Sequence, residues 1–377
     1  MPMHVRSRDE AHRTSTPLEL FFDLVFVVAI ARAAAGLHHA ILEQHVAHGA
    51  LGFALVFFAI WWAWMNFTWF ASAYDCDDTS YRVVTFVQIT GALVLAAGIP
   101  SMFDAMRPNG AVLTGFAIMR LAMVVQWLRA ARVDPDRRTT ARRYALGISV
   151  LQLAWVSSLV VPPATGLVVV VLLIAGELAL PVWAEHAAPT TWHPHHIAER
   201  YGLLTLIVLG ESVLASTVAI DAAIESGSGL SALLPIIVGG LLTLYSMWWI
   251  YFDRPVHDLL TSLNRALVWG YGHCLVFAAA AAVGAGLAVS VDLAVATSGP
   301  ARPLSGLAVT VPVALYLAVL WVLHDRPAYR QNSWVGPVAI AAILLASFTA
   351  QPVLLTGCAM AAIVGTKIVA RSQAKAA

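Results

Sequence analysis

About twelve apolar stretches, most long enough to cross a bilayer, alternate along this chain with short polar loops, and nearly every Lys and Arg falls in every second loop. No other feature narrows the choice of fold so far. A helical crossing takes about 20 mostly apolar residues, and a backbone inside lipid must satisfy its own hydrogen bonds. The stretches read as spans at roughly 17–39, 49–70, 83–104, 111–131, 143–161, 165–184, 198–220, 231–252, 265–290, 305–324, 334–349 and 351–369. They are continuously apolar, whereas a β-barrel would alternate within segments of about ten residues. Of 377 residues 60% are hydrophobic and 11% charged, against about 25% charged in soluble domains. A water-soluble fold of this length could not hide that much apolar surface. The expected fold is all-α, a polytopic helical bundle of about twelve transmembrane helices. The last two spans could instead form a helical hairpin broken near Gln351-Pro352.

Orientation follows from the basic residues, which collect in cytoplasmic loops. With the N-terminus inside, the inner segments hold Arg6, Arg8, Arg13, Arg82, the Arg-rich loop 129–143, Arg200, Arg254, Arg265, Arg326, Arg330, Lys367, Arg371 and Lys375. The outer loops hold Arg107 and Arg302, and Arg32 and Arg120 lie inside the membrane. An even number of spans with both termini cytoplasmic fits this pattern. The expected organisation is a cytoplasmic tail at 1–16, a six-helix half at 17–184, a connecting loop at 185–197, a second six-helix half at 198–369 and a tail at 370–377. The net charge of +1 selects no partner, and nothing points to nucleic acid. The Arg-rich loop could touch anionic headgroups, though orientation explains it. Cys76, Cys274 and Cys358 imply no disulfide framework. Glu19, Asp23 and Arg32 interrupt the first apolar run, which makes it a poor signal peptide that is expected to be retained.

The halves agree in part. Each opens with a Glu at the inner mouth of its first span, Glu19 and Glu199. The second spans carry related strings, Trp61-Trp62-Ala63-Trp64-Met65-Asn66 and Trp248-Trp249-Ile250-Tyr251-Phe252-Asp253. Asp75 with Arg82, and Asp258 with Arg265, follow at the same spacing. Six spans per repeat is an even number, so the expected repeat is parallel.

Ionisable groups inside a bilayer are costly unless paired or hydrated, and they often mark function. Asp23, Arg32, Arg120, Glu177 and Glu211 are such residues, with His273 in the ninth span. In repeat alignment Arg32 nearly coincides with Glu211, so the expected pairs are Arg32 with Glu211, and Arg120 bridging to Asp23 or Glu211. Three acids against two bases leave one carboxylate without a counter-charge, a group able to load and release a proton. The bland reading is a set of structural ion pairs fixing helix register. Gly176 and Gly210, each preceding a Glu, would let a helix or ligand approach that carboxylate. Glu19 also has a purely structural reading, since Thr16, Pro17 and Glu19 spell a capping box. The aromatics of the second span read first as an interfacial belt and otherwise as a cavity wall, with Asn66 and Asp253 as polar contacts at an inner gate. His38, His39, His45 and His48 surround Glu43, and His186, His193, His195 and His196 precede Glu199, but neither spacing is a metal signature. No metal or other cofactor is expected. No Walker motif, HExxH, GxSxG or paired CxxC is present. This argues against ATP-driven transport more firmly than against a membrane enzyme.

Residues 16–30, from Thr16-Pro17-Leu18-Glu19-Leu20-Phe21-Phe22-Asp23 to Ile30, and the segment His196-Ile197-Ala198-Glu199-Arg200-Tyr201-Gly202-Leu203, continuing to Gly210-Glu211-Ser212, resemble the opening and central signatures of the bacterial low temperature requirement protein A family. Residues 248–255 are also similar to that family. The resemblance implies a bacterial polytopic membrane protein and makes Glu19, Asp23, Glu199, Arg200 and Glu211 hallmark positions. The family is named for a cold-growth phenotype and brings no settled activity. Residues 22–30 also echo the Phe-Ser-Asp-Gly signature of an endolysosomal and bacterial potassium-channel family. The Ser and Gly are missing here, and the second half lacks an equivalent Asp.

The function expected is a secondary transporter or permease of the bacterial cytoplasmic membrane, acting on an unidentified small solute or ion. Glu211 would be the proton- or cation-coupling carboxylate, Arg32 and Arg120 its counter-charges, and Asp23 an inner relay. Secondary candidates are Glu19, Glu199, Arg200, Glu177, Asn66, Asp253 and His273. The alternatives are an ion channel, a membrane-embedded enzyme acting on lipid, and a sensor of cold adaptation. Substrate and oligomeric state are not legible in the sequence.

Overall fold

The computed structural model describes residues 3–6, 14–75, 77–105, 109–227, 230–295, 302–325 and 335–376. Arg8, Arg13, Arg107, Arg326, Arg330 and Cys76 lie outside the described residues. So do the side chains of Asp75, Arg302 and Lys375. Twelve helices are described: α1 (Pro17–Leu42), α2 (Val46–Ala73), α3 (Thr79–Ala105), α4 (Gly110–Val133), α5 (Arg138–Ser157), α6 (Pro163–Glu185), α7 (Pro194–Glu225), α8 (Leu230–Tyr251), α9 (Leu263–Val295), α10 (Arg302–Leu320), α11 (Val335–Ala346) and α12 (Pro352–Ala376). A π-helical turn, Trp321–Asp325, continues α10. A two-residue antiparallel ladder joins His4–Val5 to Tyr74–Asp75. Eleven helices are long and apolar enough to cross a membrane, and α11 is a shorter apolar helix.

The chain forms two compact units, Met1–Ala33 with Gly52–Leu203, and Ala34–Leu51 with Leu204–Ala377. The division does not follow the polar loop at 185–197, because α1, α2 and α7 each give residues to both units.

In the first unit α3, α4 and α5 pack as antiparallel neighbours. Lipid tails are as apolar as Leu, so helices in a membrane associate by close packing, which small residues permit. Gly91 and Gly115 do this on α3 and α4: a Cβ on Gly115 would strike the backbone of Gly91 and Leu95. On the next interface Trp127 stacks on Tyr144 at 4.1 Å, and Gly147 of α5 receives Leu180 of α6. α2 lies at the centre of this unit. Its Phe67 stacks on Phe22 of α1 at 4.0 Å, and Phe70 meets Trp127 of α4 edge-on. The expected interfacial belt on α2 is therefore corrected: Trp61, Trp62, Trp64, Phe67 and Phe70 are buried, because helices pack on several sides of α2.

In the second unit the core helix is α9, with 83% of its apolar window buried. Its run Ala279-Ala280-Ala281-Ala282-Val283-Gly284-Ala285-Gly286 keeps its surface flat. Gly284 abuts Ser212 of α7, and Gly286 abuts the backbone of Ala308 on α10. α11 starts beside Trp321 and ends where Gly306 meets Ser347, so it retraces α10. The turn after α11 leads into Pro352, where the sequence indicates a break. α12 runs parallel to α8, with Gly239 against Val353 and Gly357 near its start and Asp253 near Arg371 at its end.

Candidate functional site

The densest set of charges in the first unit joins the start of α1 to the start of α7. Thr16 and Glu19 form both bonds of the capping box: the Glu19 N–H donates to Thr16 Oγ1 at 3.3 Å and the Thr16 N–H to Glu19 Oε2 at 2.7 Å. That leaves Glu19 Oε1 facing α7, 3.1 Å from His196 Nε2 and 3.1 Å from Arg200 Nη1. One turn on, Asp23 receives the other edge of the same guanidinium, from Nη2 at 2.6 Å and from Nε at 3.1 Å. The Trp64 indole N–H completes the carboxylate at 2.6 Å. Glu19 is 2% exposed, and Asp23, His196 and Arg200 are 0% exposed.

Helical spacing explains this convergence. Glu19 and Asp23 are four residues apart on α1, as are His196 and Arg200 on α7, so each pair shares a face. The planar fork of Arg suits two carboxylates at once, and Phe67 lies 5.9 Å beneath it. The set holds two carboxylates, one permanent cation and one imidazole.

A second buried group lies deeper in the first unit. Arg120 Nη2 donates to both oxygens of Glu177, at 2.9 and 2.7 Å. Trp62 and Trp155 donate their indole N–H to the same carboxylate, at 2.8 and 3.2 Å. Arg120 thus meets Glu177 and not Asp23, which has Arg200. The sequence ranks Glu177 below its final role because its partner depends on how α4 and α6 pack.

The other expected residues are scattered. Arg32 lies nine residues beyond Asp23, about half a turn away in angle, and it is exposed on the opposite face of α1. Glu211 is partly buried on α7, beside Gly210, whose missing side chain faces open space. Among the described residues neither Arg32 nor Glu211 has an ion-pair partner. Gly176, by contrast, receives Leu151. Glu199 accepts the Ser15 N–H at 3.2 Å. Asn66 donates to the Trp62 carbonyl at 2.7 Å, a bond within its own helix. Asp253 gathers Arg371 at 3.2 Å, Arg254 at 3.9 Å and Lys367 at 4.0 Å. His273 is fully buried in the second unit, its Nδ1 on the Trp269 carbonyl at 2.8 Å and its Nε2 against the Tyr251 hydroxyl at 3.0 Å. The Trp269 indole N–H donates to His324 at 3.1 Å. Among the described residues no group of three or more His, Cys, Asp or Glu is arranged to hold a metal ion.

His196 and Trp64 are members of the first site that sequence reasoning misses. The signal for His196 is present, because it stands one turn before Arg200 and opposite the Glu19–Asp23 face. Counting it as one of several loop histidines hides it.

Together the apolar helices and their buried charges define a polytopic helical membrane protein. The match of a family model over residues 14–370 gives the particular family: the chain belongs to the bacterial low temperature requirement A protein (LtrA) family. It is similar to the "Uncharacterized protein RA0937" of Rhizobium meliloti (strain 1021), 25% identical over 281 residues, 68% of this chain. The chain spans 64% of the length of that relative.

Proposed function

We propose that this protein is a proton- or cation-coupled secondary transporter of the bacterial cytoplasmic membrane, with both termini in the cytoplasm. The observation that carries the reading is the buried set Glu19, Asp23, His196 and Arg200. Among these four buried side chains two carboxylates face one permanent cation and a titratable imidazole, and buried charges are costly unless balanced. A proton taken up by His196 or by a carboxylate changes that balance. A buried set able to take up and release a proton is the minimum a proton-coupled carrier needs.

Glu211 extends the reading along α7. It is a residue of the second unit, partly buried beside Gly210. In this reading the α1–α7 set is the inner loading centre, Glu211 is a second coupling carboxylate, and Arg120 is held by Glu177 as part of the framework. The order of helix neighbours supports a six-helix repeat: the third to sixth helices pack in sequence in the first half as in the second.

The test is flux in proteoliposomes with an internal pH dye under imposed proton, sodium and potassium gradients. Wild type is compared with His196→Gln, Glu19→Gln and Glu211→Gln, each checked for folding by size exclusion. Loss of a gradient-driven pH change in all three variants is the expected result. Equal flux from wild type and Glu211→Gln would remove Glu211 from the path, and equal flux from His196→Gln and Glu19→Gln would remove the loading centre.

A further inference from the structure

Only one edge of the Arg120 guanidinium is used by Glu177. The Nε and Nη1 groups, three N–H bonds in all by the chemistry of arginine, have no hydrogen-bond partner among the described residues, in a side chain 2% exposed. Buried polar groups in folded proteins are nearly always partnered. Two more orphans stand at the same level. Gln88 on α3 is 1% exposed with its Nε2 unpartnered, and Gln152 on α5 is 7% exposed with both its Nε2 and Oε1 unpartnered.

Helix register places them at one level. Gly91 abuts Gly115 and Met119 across the antiparallel α3–α4 interface. Gln88 lies one turn before Gly91 on the same face, which puts it level with Arg120. On the other side Phe116 meets Trp155 edge-on. Gln152 precedes Trp155 by one turn and Arg120 follows Phe116 by one turn, so Gln152 is level with Arg120 too. One buried layer of the first unit thus holds a guanidinium edge and two carboxamides, with many more donors than acceptors.

We infer that this layer is a binding site for a small acceptor-rich monoanion, such as a halide, nitrate or formate. Arg120 supplies three N–H groups of an ionised donor, and Gln88 and Gln152 the flanking donors. Charge-assisted hydrogen bonds of this kind are among the stronger ones. Glu177 holds the guanidinium by its opposite edge, with Trp62 and Trp155 fixing the carboxylate, so Arg120 is oriented before any anion arrives. The inference stands on the Arg120 layer alone and does not depend on the loading centre at α1 and α7.

The experiment is thermal unfolding of the full-length protein in nanodiscs of uncharged lipid, titrated with chloride, nitrate or formate against gluconate at constant ionic strength. The expected result is a saturable rise in the unfolding midpoint with the small anions, weakened at least tenfold in apparent affinity by Gln88→Leu and by Gln152→Leu. Gln152→Glu supplies a tethered carboxylate and is the variant to use should either Leu variant fail to fold. It is expected to fold and to have lost its response to added anions. No anion-specific rise in wild type, or the same rise in Gln152→Glu, would overturn the site and leave water as the partner of these donors.

Discussion

At the scale of single residues, the protein keeps its fully buried charges in the first unit by pairing them across helices. Arg200 holds Asp23 and Glu19 with the two edges of one guanidinium, and all three side chains are buried. Removing Arg200 leaves both carboxylates uncompensated, and breaking a buried pair costs about 3–5 kcal/mol. Arg200→Gln is therefore expected to lower the midpoint of unfolding in detergent well below that of wild type. Adding Asp23→Asn to Arg200→Gln should recover part of the loss, because it removes one of the two orphaned carboxylates. A double variant less stable than both singles would contradict the pairing. The capping box is a smaller effect. Thr16→Ala removes one acceptor at the start of α1 and should cost about 1 kcal/mol. It should also loosen Glu19, so amide exchange at the first turn of α1 is expected to rise in this variant. The pairing of Arg120 with Glu177 was not legible in the sequence, since the residues are on α4 and α6 and no spacing rule connects them. Glu19 with Asp23, and His196 with Arg200, were legible as faces of single helices. That the two faces meet was not.

At the scale of helices, small residues set which neighbours can approach. A Cβ on Gly115 would strike backbone of α3, and one on Gly286 would strike backbone of α10. Backbone cannot swing aside as a side chain can, so Gly115→Val and Gly286→Val should each separate a helix pair. The expected outcome is a loss of several degrees in the unfolding midpoint, since overpacking typically costs about 1–3 kcal/mol. Gly210→Ala, which meets open space, should leave the midpoint unchanged and serves as the control. The related strings on α2 and α8 show how far element-level reading reaches. Trp61 and Trp62 are buried under neighbouring helices, whereas Trp248 and Trp249 are 46% and 41% exposed. Similar sequence therefore does different work, because the packing around each helix differs.

For the whole molecule, the charge pattern and the helix path make a common prediction. α11 has 12 residues, too few for a crossing of about 30 Å at 1.5 Å per residue, yet it retraces α10 and returns the chain before α12. Both termini should then lie on the same, cytoplasmic side. The check is impermeant thiol labelling of single cysteines in a Cys-free background, at Ser372, at Ala187 and at Ser226. Ser372 and Ala187 are expected to react only after the membrane is opened, and Ser226 in intact cells. Labelling of Ser372 from outside would mean that α11 does not cross. The sequence by itself determined that the chain lies in the membrane, the number and approximate ends of its helices, and the break before Pro352. These depend on apolar length, and apolar length is a local property. It also determined the family. Only the tertiary structure decided which charges pair with one another, that most aromatics of α2 are buried, and that Gln88, Arg120 and Gln152 are buried with unpartnered polar atoms. Those outcomes depend on which helix faces meet, and in lipid that choice rests on small-residue packing and polar pairing between segments far apart in the chain.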